Sequence, residues 1–119
     1  MSAYTPAQVV EETGLSIETL RYYERIGLLE PVGRSAAGHR RFTDVHLEQL
    51  SIARCLRESG MPIADVARYA ELVRAGDDTI DERIALLEEH ETRVQAKMES
   101  LREQQRYITR KIAYLRTVR

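Results

Sequence analysis

The 119-residue chain contains no tryptophan, one phenylalanine and one cysteine. A lone thiol, Cys55, excludes an internal disulfide, and a single thiolate cannot hold an iron–sulfur cluster. The histidines His39, His46 and His90 fall at no ligand spacing and on separate expected elements, so neither a metal site nor a cofactor is expected. There is no run of about 18 apolar residues, and the opening segment lacks the apolar centre of a secretion signal. These absences lead us to expect a cytoplasmic protein without membrane association. No nucleophile–base set or carboxylate pair emerges either, and an enzyme is not expected. Glycine and proline are missing from the whole carboxy-terminal third, since neither occurs after Gly76.

What fills that third is periodic. Apolar or core-type residues recur at Ile80, Ile84, Leu87, Glu91, Val94, Met98, Leu101, Gln105, Ile108, Ile112 and Leu115. Alternating steps of four and three make a heptad seam. A helix over residues 79–119 would run about 60 Å at roughly 1.5 Å per residue, and such a helix needs a partner. The seam residues Ile84, Leu87, Val94, Met98, Leu101, Ile108, Ile112 and Leu115 are the expected dimerisation surface.

Charge indicates the orientation. Residues 79–91 carry five carboxylates against Arg83, a formal −4, whereas residues 102–119 carry six cations against Glu103, a formal +5. Parallel pairing would stack like charge on like, and antiparallel pairing sets acid against base. Exposed pairs are weak and screened by salt, so this asymmetry selects orientation rather than supplying stability. An antiparallel homodimeric coiled coil follows, with Glu91 and Gln105 trading stability for register. The competing arrangement is a helix folded back on its own domain.

The remainder makes one small domain, expected over residues 1–76, with the dimerisation helix over 79–119. A net charge of −1 and a pI near 6.3 give no bulk sign of nucleic-acid binding, so any DNA contact must come from a local patch. Thr5-Pro6 reads as an N-cap with proline at the first helical position, and this helix ends near Gly14. Ser16 caps a second helix through about Ile26, stopped by Gly27. Two short helices around a glycine turn make a helix-turn-helix. The second carries Thr19, Arg21, Tyr22 and Arg25, side chains able to reach base edges or phosphate, although ordinary amphipathic helices carry the same types. Leu28 to Val32 and Arg40-Arg41-Phe42 flank a turn-rich stretch and read as a hairpin wing bearing Arg34, His39, Arg40 and Arg41. A solvated loop is the plainer reading. Thr43 caps a third helix ended by Gly60, Pro62 starts a fourth, and Thr79-Ile80-Asp81-Glu82 reads as a capping box opening the long helix.

The string Leu20-Arg21-Tyr22-Tyr23-Glu24-Arg25-Ile26-Gly27-Leu28-Leu29, followed by Pro31 and then Gly38-His39-Arg40-Arg41-Phe42, resembles the MerR family of transcription regulators. The likeness covers the whole chain and implies a mainly α fold: a winged helix-turn-helix DNA-binding domain followed by a long antiparallel coiled-coil dimerisation helix. It further implies a dimer on double-stranded promoter DNA with an over-long spacer, distorted so that RNA polymerase engages both promoter elements. By the family pattern Arg21, Tyr22 and Thr19 contact bases and phosphate, and Arg40 is the wing contact. The family's wing usually ends in tyrosine; Phe42 has no hydroxyl and reads as a core anchor.

A second string, residues 54–63 around Cys55 with Gly76-Asp77-Asp78-Thr79, resembles the short single-cysteine MerR subgroup that responds to aldehydes, other electrophiles or nitrosative stress. That resemblance implies Cys55 as the effector sensor. Two readings compete with it: an effector-independent or architectural DNA-binding protein in which Cys55 only packs, and a coiled-coil adaptor that binds no DNA.

Overall fold

A computed structural model describes residues 3–119. The chain divides into two compact units, Met1–Ile84 and Ala85–Arg119. The first unit begins with strand β1 (Ala3–Tyr4), helix α1 (Pro6–Thr13) and helix α2 (Ile17–Arg25). The two-stranded wing follows as β2 (Gly33–Arg34) and β3 (Arg40–Thr43), then helices α3 (Asp44–Glu58) and α4 (Ile63–Ala75). A single 3-10 turn, Asp77–Thr79, leads into helix α5 (Ile80–Val118).

Local chemistry sets these boundaries. The Thr5 hydroxyl accepts from Gln8 N at 3.2 Å while Gln8 Oε1 accepts from Thr5 N at 2.8 Å, a closed capping box with Pro6 next in line. Ser16 Oγ accepts from Thr19 N at 3.1 Å and starts α2. Helix α2 ends where Gly27 takes φ 78°, so that Leu28 N donates to Tyr23 O and Gly27 N to Glu24 O. Helix α3 ends in the same way, with Met61 N bonded to Leu56 O and Gly60 N to Arg57 O. In both turns the residue after the glycine is buried, Leu28 in one and Met61 in the other, which is the apolar contact this stop motif favours.

The core of the first unit gathers Val9, Leu20, Tyr23, Leu29, Phe42, Leu50, Leu56 and Val66 from α1, α2, the segment after it, β3, α3 and α4. The three strands order β1-β3-β2, with Tyr4 opposite Phe42 and Arg34 opposite Arg40. Strand β1 was not expected, because two residues are too short to show a period. The wing's first limb is also shorter than expected. Only Gly33–Arg34 pairs with β3, and Leu28 and Leu29 are buried core instead.

The start of α5 differs as well. Thr79 does not cap it: its hydroxyl donates backwards to Leu72 O and Gly76 O. Leu72 itself is buried.

Helix α5 is 39 residues long, about 58 Å at 1.5 Å per residue. Along it Ile84, Met98, Leu101, Ile108, Ile112 and Leu115 are exposed, and Leu87 and Val94 are half-buried. No helix among the described residues is long and apolar enough to cross a membrane.

Candidate nucleic-acid interface

Leu20 and Tyr23 are the buried side of α2, so the helical period turns Arg21 and Arg25 outward. Both are exposed, and Thr19 and Tyr22 are half-buried beside them. The Arg25 guanidinium lies 5.5 Å from the centre of the Tyr22 ring, which orders both side chains on one face. Thr19 Oγ1 lies 2.9 Å from Ser16 Oγ, so the cap also orients a proposed contact. Burial pushes the Tyr23 phenol above its ordinary value, against the pull of the Arg57 guanidinium.

The wing presents its cations in three different ways. Its turn closes through Ser35 N to His39 O at 2.7 Å and Gly38 N to Ser35 O at 2.9 Å, with Gly38 at φ 84°. Arg34 Nη1 donates to Gly38 O at 2.9 Å, which holds this arginine along its own hairpin. His39 and Arg41 are exposed. Arg40 is on the opposite side of β3 and forms an ion pair with Glu24 of α2 at 3.0 Å.

Two further arginines support the helix pair, and nothing local in the sequence marks them. Arg54 Nη1 of α3 donates to Thr13 O at the end of α1, and Arg74 Nη1 of α4 donates to Gly27 O just past the end of α2. Each occupies a carbonyl at a helix C-terminus, where a cation is favoured. The root of the wing is held by His46, which is buried: Thr43 N donates to its Nδ1 at 2.9 Å and its Nε2 lies 3.0 Å from Glu30 O. An amide can only donate and a carbonyl only accept, so Nδ1 is placed to accept and Nε2 to donate.

Cys55 is exposed on α3, a different element from α2 and the wing. Among the described residues no cluster of three His, Cys, Asp or Glu side chains could hold a metal.

A helix pair with a glycine turn, a buried-faced second helix and a following two-stranded wing together define a winged helix-turn-helix DNA-binding protein. The chain belongs to the MerR family. The MerR HTH family regulatory protein model matches residues 4–72, and a MerR DNA-binding model matches residues 47–111. An uncharacterized HTH-type transcriptional regulator of Haemophilus influenzae is 41% identical over 93% of this chain and 82% of its own length. The HTH-type transcriptional regulator AdhR of Bacillus subtilis is 35% identical over 74% of this chain, which spans 63% of AdhR. Among solved structures, HiNmlR, a MerR family regulator lacking the sensor domain and bound to promoter DNA, superposes with a TM-score of 0.87. It shares 40% identity and covers 98% of this chain and 92% of its own. These relatives are transcription regulators rather than enzymes, and this chain is a DNA-binding transcription regulator of the same type.

Proposed function

We propose that the protein works as an antiparallel homodimer that distorts a long-spacer promoter for RNA polymerase and is switched by electrophile attack on Cys55. The observation that carries the dimer is the exposed seam of α5. Eight apolar positions at heptad spacing line a helix, six of them exposed to water in the single chain. An apolar seam of that length, broken only at Glu91 and Gln105, is the kind of surface that pairs with another helix. The acidic start and basic end of α5 favour the antiparallel pairing.

On DNA, Thr19, Arg21, Tyr22 and Arg25 enter the major groove while Arg34, His39 and Arg41 grip the flanking backbone. A dimer carrying two such heads selects the duplex geometry that presents two half-sites to them, which makes DNA shape part of the readout. HiNmlR's binding to promoter DNA supports this reading.

The exposure of Cys55 favours sensing over packing. A buried cysteine is a small hydrophobe, whereas an exposed one is open to reagents. The thiolate sulfur attacks an aldehyde carbon, the carbonyl π pair moves to oxygen, and water protonates that oxygen to give a hemithioacetal. The adduct on α3 biases the population of the activating conformation. Reporter transcription with formaldehyde or methylglyoxal tests this: the native chain induces and Cys55→Ala does not. Equal induction in the two removes Cys55 from sensing and leaves an effector-independent regulator.

A further inference from the structure

The cations of the wing do not share one role. Side chains alternate along a strand, and β3 puts Arg40 and Phe42 on one side and Arg41 on the other. Phe42 is 2% exposed, which fixes that side as the inward one. There Arg40 Nε stands 3.2 Å and 3.3 Å from the two carboxylate oxygens of Glu24, and its Nη2 stands 3.0 Å from Oε1. The side chains are 32% and 28% exposed, so the pair is shielded more than a fully solvated one.

Glu24 is an odd residue for its place. It lies one helical turn beyond Arg21 on a helix that must approach a polyanion, where a carboxylate is repelled by phosphate. Its charge therefore has to serve something other than DNA. Beside the pair is a cavity of about 70 Å³ lined by Arg21, Glu24, Arg40 and Phe42 among others. Apolar packing between α2 and β3 is thus incomplete at this point.

We propose that Glu24 and Arg40 are a latch that sets the angle between helix and wing, and that Arg40 serves recognition as a positioning residue rather than as a phosphate contact. A wing held at the right angle brings His39 and Arg41 to the backbone while α2 is seated in the groove. A free wing must be ordered on binding, and that ordering cost weakens the complex.

The two roles predict opposite signs. The full-length chain and its Glu24→Gln, Arg40→Gln and double variants are titrated on the tightest duplex that the native chain recovers from a randomised pool, and on unselected duplex. Glu24→Gln, nearly isosteric, removes a negative charge yet weakens the selected duplex by about threefold to tenfold. The double variant loses no more than the worse single one, the salt slope is unchanged, and binding to unselected duplex stays as in the native chain. The latch is overturned if Glu24→Gln binds as tightly or more tightly, or if Arg40→Gln flattens the salt slope by about one phosphate contact in both backgrounds. Equal losses on both duplexes together with a lowered melting temperature also overturn it, since they assign the pair to stability alone. Failure of the native chain to recover any duplex would instead reject DNA recognition itself.

Discussion

Leu101 offers a quantitative test of the seam. It is 64% exposed in the single chain, and fully burying a leucine stabilises by about 1.5–3 kcal/mol. Covering the remaining exposure on dimerisation is then worth ~1–2 kcal/mol in each protomer and ~2–4 kcal/mol in a symmetric dimer. At about 1.4 kcal/mol per decade, Leu101→Ala raises the dimer dissociation constant roughly 30- to 700-fold. Tyr107 is the matched control, because it is 66% exposed and lies on α5 beside the seam rather than on it. Tyr107→Ala leaves the dissociation constant nearly unchanged. Sedimentation equilibrium from nanomolar to micromolar protein, with circular dichroism to check helix content, reads both. The reasoning fails if the native chain stays a folded monomer throughout, or if Leu101→Ala shifts the constant by less than about threefold.

Arg21→Ala costs about 1–3 kcal/mol on the selected duplex and relaxes its sequence preference, as expected of a residue that reads a base. A gel-shift titration in which selected and unselected duplex lose equally would reassign Arg21 to phosphate. Tyr23 predicts an alkaline limb in stability. The unfolded phenol ionises near 10.0 and the folded one higher, so above that pH the unfolded state releases a proton that the folded state keeps, and stability falls as pH rises. Melting temperatures measured against pH in the native chain and Tyr23→Phe should therefore diverge above pH 10, with the variant losing less; parallel curves would refute the assignment.

Features encoded by neighbours in sequence were legible without the structure. Thr5 with Pro6 opens α1, Ser16 opens α2, and Gly14, Gly27 and Gly60 stop their helices by local geometry. The outward turn of Arg21 and Arg25 on α2 follows from one helical period. Features that depend on distant partners were not legible. Thr79 carries the local signature of a cap, but the carbonyls at the end of α4 compete for its hydroxyl and win. Arg54 and Arg74 look in sequence like any other surface cations and Arg40 like a DNA contact of the wing, yet their partners within the chain are Thr13, Gly27 and Glu24. His46 likewise shows its role only once Glu30 is brought to its far nitrogen.

The bonds of Thr79 to Leu72 and of Arg74 to Gly27 have a mechanical consequence. They connect the root of the long helix to the tail of the reading helix through the last turn of α4, by way of directional links at the rim rather than the greasy interior. The first turn of α5 and the end of α2 therefore share one anchor, the closing turn of α4.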